Sequence, residues 1–166
     1  MEPRKRTVFV FDAADPPAGP MPLTITPSGT FCRPEGRYFL CGISPEDDPT
    51  VAVDDFAPRH DEWEATVWPA VAGLSRRFEA AKVQRFWAGH YDVCTLDHNV
   101  IVGPHAEVGN LLLANGFSGH GLQQSPAVGR GLAEWIAHGR YCTLDLSPLG
   151  HGRVLRGEAF LEEAVV

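Results

Sequence analysis

The residues at 110–121 combine the types best suited to binding chemistry in this sequence. Leu111 to Ala114 is a short apolar run, typical of a buried strand, and glycines follow at 116, 119 and 121. Glycine adopts positive φ and lets a ligand approach the backbone closely. The amides of such a loop, with those of a following helix, suit an anion or an electron-rich ring edge. The alternative is a glycine-rich connector with nothing bound.

A helix is predicted directly after this loop. Ser125-Pro126 offers a cap and a preset first turn. Gly139 is placed to end the helix. Apolar residues recur between these points at helical spacing: Val128, Leu132, Trp135 and Ile136.

Other chemistries have less support in the residue spacing. The seven histidines form no H-x-x-x-H or H-x-H pair and the four cysteines no C-x-x-C pair, so no metal site is predicted. Ser118 lacks the G-x-S-x-G spacing of a hydrolase nucleophile. Thr95-Leu-Asp97 can be a polar turn whose carboxylate accepts local amides. The dinucleotide motif G-x-G-x-x-G is absent, so another segment must hold any pyrophosphate.

Composition narrows the class of protein. The 166 residues, 44% hydrophobic and 21% charged, predict one globular core. A net charge of -7 argues against a nucleic-acid surface. No apolar run is long enough to span a membrane or serve as a secretion signal, so the expected location is the cytoplasm, with free thiols. Cys32 and Cys41 can face each other across a hairpin.

The predicted elements form a mixed sheet with helices, in the α+β or mixed α/β class. Strands are predicted at 7–12, 23–26, 30–33, 37–42, 82–92, 99–104 and 110–114, the second to fourth as an antiparallel meander. A helix is predicted at about 59–74, kinked or divided by Pro69. Trp63 and Trp68 on this helix are expected to be core or lid aromatics.

Several segments together resemble a known family. They are Trp-Ala-Gly-His-Tyr-Asp at 87–92, Thr-Leu-Asp at 95–97, Ile-Val-Gly at 101–103, the stretch 110–130 and Asp-Leu-Ser-Pro at 145–148. This set resembles the C-terminal part of the flavin-dependent D-amino-acid oxidase, glycine oxidase and sarcosine oxidase superfamily. It is most similar to the branch called FAD-dependent oxidoreductase domain-containing proteins.

The resemblance implies a domain organisation. Residues 1–98 would be part of a substrate-binding domain with an antiparallel-rich sheet. Residues 99–150 would supply the closing strand and helix of an FAD-binding domain, and 151–166 a C-terminal tail. Family chains begin with a βαβ unit carrying G-x-G-x-x-G, which this sequence lacks. The chain is therefore expected to be a fragment, or a subunit completed by a second chain, and to be inactive and unable to hold FAD tightly without that half.

The resemblance also implies site residues, although it assigns no catalytic residue. The flavin edge would contact the loop Gly116, Phe117, Ser118, Gly119, His120, Gly121 and Leu122. His120 would neighbour the ring or else be bonded to backbone.

Two departures from the sarcosine oxidase pattern concern substrate and cofactor. His90 stands where those enzymes have the cysteine that links to flavin, so FAD should be non-covalent. Gln123 stands where they have a lysine that helps hold the substrate carboxylate, so the charge is lost. His90 and Gln123 are the candidate substrate residues.

The expected function is oxidation of a small amine or amino acid by hydride transfer to flavin. The alternative is a non-catalytic interaction or assembly module that retains the oxidase fold.

Overall fold

A computed structural model describes residues 1–17 and 19–162. The chain divides into two compact units. The N-terminal unit is Arg4–His90, and the C-terminal unit is Met1–Pro3 together with the chain from Tyr91 onward. The boundary predicted at 98/99 is of another kind, because it separates a substrate-binding domain from an FAD-binding domain. It stays a prediction. In the described residues, no helix is both long and apolar enough to cross a membrane.

Most strands of a five-stranded sheet lie in the N-terminal unit. The predicted meander is confirmed, with antiparallel pairing throughout. Gly36, at φ +62°, makes the tight turn between its last two strands. The first strand begins at Glu2, earlier than the predicted 7. The order is β2-β3-β4-β1-β5 for β1 (Glu2–Asp12), β2 (Thr24–Ile25), β3 (Thr30–Glu35), β4 (Tyr38–Ile43) and β5 (Lys82–Val93).

Three short helices cover one face of this sheet and close an aromatic core. They are a π-helix (Trp63–Val67), α1 (Trp68–Leu74) and a 3-10 helix (Arg76–Phe78). The helix predicted at 59–74 is thus present, but its π-helical turn was not predicted. Pro69 follows this widened turn, and it has no N–H for the carbonyl one α-helical turn earlier. The buried core includes Phe9, Phe11, Phe39, Val67, Val71 and Phe78.

Two cysteines face each other inside the N-terminal unit. Cys32 and Cys41 are register partners in β3 and β4, both are fully buried, and all four cysteines of the chain are free. Burial raises the pKa of the Cys32 thiol to about 12. Burial, and then the neighbouring Cys32, raise the pKa of Cys41 as well. Both thiols therefore stay protonated at ordinary pH.

The C-terminal unit packs a strand pair against helices. Its elements are β6 (Ile101–Pro104), β7 (Leu112–Asn115), α2 (Gly121–His138), a 3-10 helix (Ser147–Leu149) and α3 (His151–Leu155). Val100, Val102, Val128 and Leu146 form its core. The two units together give the predicted α+β class. However, the expectation that β7 is a buried strand is wrong for this chain. Leu111 and Ala114 are exposed because, among the described residues, β7 pairs only with β6.

The start of α2 also differs from the prediction. The helix begins at Gly121, so Ser125-Pro126 lies inside it and does not cap it. Pro126 has no N–H to give to the carbonyl of Leu122, and the Ser125 hydroxyl donates to that carbonyl instead, at 2.9 Å. Because the Ser125 hydroxyl replaces the missing N–H donor, the helix continues past Pro126. The predicted end is confirmed, because Gly139 adopts φ +68° and its N–H donates to Trp135.

Candidate functional site

The glycine-rich loop runs from β7 to α2 and is anchored to the end of β5. The Oδ2 atom of Asp92 accepts the Gly116 N–H at 2.6 Å, and the Asp92 carbonyl accepts the Ser118 N–H at 3.0 Å. Val93 forms an antiparallel bridge with Phe117. Because three successive contacts join the loop to β5, its path is set by the strand.

Three loop residues have positive φ, which explains two of the loop's three glycines. Gly116 and Gly119 adopt +72° and +99°, and Ser118 adopts +49°. A left-handed conformation costs a non-glycine residue on the order of 1–2 kcal/mol. Ser118 offsets this with its hydroxyl, which accepts the Cys94 N–H at 3.0 Å and donates to the Gly116 carbonyl at 3.3 Å. Ser118 is therefore a structural residue of the loop.

The glycines admit the protein's own side chains at close range. A Cβ on Gly119 would lie 2.7 Å from a ring carbon of Tyr91. A Cβ on Gly116 would overlap the end of the Met1 side chain. At Gly121 the nearest contact, to Phe117, is an ordinary 3.5 Å. Tyr91 and Met1 thus approach the backbone closely at Gly119 and Gly116, and the predicted contact of this loop with a ligand stays a prediction.

His120 is the residue of the loop with unused polar atoms. Its side chain is only 7% exposed, and neither ring nitrogen has a hydrogen-bond partner among the described residues. One interpretation of His120 was a ring that hydrogen-bonds to the backbone, and no such bond is observed among the described residues. Gln124, one helical turn later, has a buried Oε1 in the same condition. Buried polar atoms in folded proteins are nearly always paired, so these atoms indicate a missing partner.

The beginning of α2 adds hydrogen-bond donors beside His120. The first helical bond runs from the Gln124 N–H to the His120 carbonyl at 3.1 Å. The N–H groups of Gly121, Leu122 and Gln123 precede it and have no partner within the helix. Leu122 is 89% exposed, and Gln123 is also exposed. With the positive end of the helix dipole, this end of α2 suits electron-rich oxygen or ring nitrogen atoms.

Asp97 stabilises the segment that precedes β6. As the polar-turn interpretation predicted, its Oδ1 accepts the Asn99 N–H at 3.1 Å, and it also accepts the Cys94 thiol at 3.3 Å. Its Oδ2 accepts the Phe160 N–H at 2.9 Å and lies 2.6 Å from Nη1 of Arg153. The ion pair is buried on both sides. Sequence reasoning missed Arg153, because no local spacing relates α3 to the Thr-Leu-Asp turn.

His90, a candidate substrate residue, has its own partners in the N-terminal unit. Its Nε2 donates to the Asp55 carbonyl at 2.7 Å, and its ring stacks on Phe56 with centroids 4.2 Å apart. The hydrogen bond from Lys5 lowers the pKa of the Asp55 carboxyl. Gln123 belongs to the C-terminal unit, so the two candidate substrate residues lie in different compact units.

The sequence is similar to a known protein family and to curated proteins that are longer than this chain. The family described as FAD dependent oxidoreductase (DAO) matches residues 1–135. The FAD-dependent oxidoreductase domain-containing protein 1 of Xenopus laevis is 42% identical over 168 residues, which cover 100% of this chain and 34% of that protein. The chain thus spans about a third of the length of the curated relatives it matches.

Solved structures show the same fold. L-proline dehydrogenase from P. horikoshii superposes with a TM-score of 0.79 at 24% identity, over 95% of this chain and 41% of that one. Glycine oxidase from Geobacillus kaustophilus gives 0.71 at 20% identity, over 89% and 38%. The fold is therefore that of the amino-acid oxidases and dehydrogenases. With a family match over most of its length, the chain belongs to the FAD dependent oxidoreductase (DAO) family.

Proposed function

We propose that this chain is the C-terminal part of an enzyme that oxidises a small amine or amino acid with FAD. The family match supports FAD, and the similarity in fold to an L-proline dehydrogenase and a glycine oxidase supports the substrate class. FAD, when bound, supplies the acceptor for the hydride removed from the carbon next to the substrate nitrogen. The chain's own residues orient and stabilise the flavin edge.

The observation that carries this proposal is His120 at the start of α2. Both of its ring nitrogens are buried and unpaired among the described residues. The adjacent N–H groups of Gly121 and Leu122 are free of helical bonds. Together these groups fit the hydrogen-bonding edge of a flavin. They would favour the negative charge that the edge gains on reduction.

The other loop residues have a positioning role in this proposal. The space in the Cβ direction of Gly116 and Gly119 is filled by Met1 and Tyr91, so these two glycines shape the loop, and their contact with the flavin edge would be made by other backbone atoms. Phe117 and Ser118 tie the loop to β5 and to the core of the C-terminal unit.

Substrate binding is proposed for Gln123 and His90. The Gln123 amide donates a neutral hydrogen bond to a substrate carboxylate, which is weaker than a charged one. His90 is already held by Asp55 and Phe56, and an imidazole in this place leaves FAD non-covalent. Flavin should therefore leave the protein when it is denatured.

A G-x-G-x-x-G half, on the same or a second chain, completes the site in this proposal. The sequence has no pyrophosphate-binding motif, and its relatives are about three times as long. In the described part of the chain one edge of β7 has no neighbouring strand, and Leu111 just before β7 is exposed, which supports a further strand at this position.

The test is to add FAD to the chain alone and to the chain refolded with the N-terminal two thirds of the Xenopus laevis relative. Flavin retained after gel filtration is measured by absorbance. We expect retention only in the complex, loss of that retention in His120→Ala, and no loss in Gly129→Ala, a matched change on the outer surface of α2.

Two results would contradict parts of this proposal. Stoichiometric FAD on the chain alone would show that the other half is not needed. Full retention in the His120→Ala complex would remove the loop from the cofactor site. The alternative, a non-catalytic assembly module, is supported by exposed apolar residues such as Leu122 and Ile136. A stable complex that never retains FAD would favour that alternative.

A further inference from the structure

The π-helical turn of the N-terminal unit places two tryptophans together. The N–H of Trp68 donates to the carbonyl of Trp63, the i to i+5 bond of a π-helix. In an α-helix, side chains five residues apart point about 140° away from each other. The wider π-turn reduces that angle, and both indoles line one cavity. π-turns are rare and are found frequently at functional sites.

This cavity, the indole pocket, has a volume of about 350 Å³ and lies within the N-terminal unit. Two glutamates are among its lining residues, beside the two tryptophans. Its lining residues are Trp63, Glu64, Trp68, Glu79 and Ala81.

The indole rings are held in place before any ligand arrives. Trp63 packs on Phe9 and Phe11, with ring centroids 5.4 and 5.9 Å apart. The Nε1 atom of Trp68 donates to the Glu79 carbonyl at 3.3 Å. A ligand would therefore pay little for ordering the aromatic walls.

The charges at the indole pocket select the sign of the ligand. Glu64 and Glu79 are exposed, and neither forms an ion pair within the described part of the chain. Arg77, two residues before Glu79 in the sequence, pairs with Asp15. Aromatic faces attract cations, and carboxylates add a Coulomb attraction. A metal ion would bind mainly through the carboxylate oxygens, whereas an organic cation would be attracted both by the carboxylates and by the indole rings.

We propose that the indole pocket binds a small organic cation with an alkylammonium group. This site is separate from the glycine-rich loop and does not depend on the proposed oxidase function. Without a ligand role, Trp63 would be only a core residue and Trp68 a surface aromatic, and the two carboxylates would be unrelated solvated groups.

The test compares choline with 3,3-dimethylbutan-1-ol, a neutral molecule of the same shape. Binding to the full chain is followed by NMR of the indole N–H signals of its four tryptophans. We expect choline to shift the signals of Trp63 and Trp68 saturably and to leave those of Trp87 and Trp135 in place. The neutral molecule should produce no saturable shift.

Variants separate the indole pocket from general surface effects. Trp68→Ala should weaken choline binding about tenfold, the loss expected for a cation–π contact of about 1.4 kcal/mol. Glu79→Gln, at an exposed site that leaves the fold intact, should weaken it and reduce its salt dependence. Trp87→Ala, which removes an exposed tryptophan of the same unit outside the indole pocket, should leave choline affinity unchanged.

The proposal is overturned by any of three results. The first is an absence of saturable choline binding. The second is equal binding of the neutral molecule. The third is unchanged choline affinity in Glu79→Gln and in a Trp68→Ala protein whose circular dichroism shows it to be folded.

Discussion

Replacing Arg153 by alanine tests the buried ion pair that holds the start of β6. The guanidinium lies 2.6 Å from the Asp97 carboxylate, and both side chains are at most 5% exposed. Its Nη2 also donates to the carbonyls of Asn99 and Val100, at 3.2 and 3.0 Å. The variant would leave a buried carboxylate without its countercharge and two carbonyls without this donor.

The expected loss is about 3–5 kcal/mol of the free energy of unfolding, because an uncompensated charge remains buried. Urea unfolding followed by circular dichroism gives this quantity. The indole signal of Trp135 reports the C-terminal unit, since the other three tryptophans lie in the N-terminal unit. Hydrogen exchange at the amides of Asn99 and Phe160, both bonded to Asp97, should accelerate.

The matched control is Arg156→Ala. Arg156 lies just after α3 and pairs with Glu158 at 2.7 Å, but both side chains are more than half exposed, so no measurable change is expected. The double variant Asp97→Asn/Arg153→Met should recover part of the loss, because neither buried charge remains. The reasoning is refuted if Arg153→Ala unfolds at the same urea concentration as Arg156→Ala.

Two further predictions concern backbone shape and thiol reactivity. Gly119→Ala should lower the free energy of unfolding by about 1–3 kcal/mol, because φ at Gly119 is +99° and the Tyr91 ring occupies the Cβ position. Gly129→Ala, in the middle of α2 with open space around the Cβ position, should raise the free energy of unfolding by about 0.5–1 kcal/mol. Thermal unfolding compares the two variants, and a Gly119→Ala melting temperature at or above that of Gly129→Ala would contradict the prediction. The exposed Cys142 should react with a thiol reagent at once, whereas Cys32 and Cys41 should stay unreactive as pH rises to 9, because burial raises the pKa of Cys32 to about 12 and that of Cys41 too. Rapid labelling of either buried thiol in folded protein would contradict this prediction.

Local patterns predicted most elements of the fold. Turn residues at 27–29 and 34–36 separate short β-rich runs, and this chemistry is enough to specify an antiparallel meander. The end of α2 follows from Gly139, because glycine adopts the left-handed C-cap without strain. The sequence alone places the beginning of α2 too late, because Ser125-Pro126 also fits inside a helix when the serine hydroxyl replaces the missing N–H.

The candidate site was only partly predictable. The loop Gly116–Leu122 was identified from its glycines, and the structure confirms the positive φ at Gly116 and Gly119. The contents of the space beside each glycine depend on residues distant in the sequence, Met1 and Tyr91. Spacing therefore predicts where the backbone can be approached, but it does not show which side chains of the protein approach it.

By itself, the sequence determined the α+β class, the meander, the glycine loop and the family. These depend on neighbouring residues and on motifs whose residues lie close together in the sequence. Only the tertiary structure decided the buried pair of Asp97 and Arg153, the His120 nitrogens left without partners among the described residues, and the indole pocket. Each of these depends on side chains brought together, or left without partners, by packing between separate elements. Burial and partnership are properties of three-dimensional neighbours, and a linear pattern does not contain them.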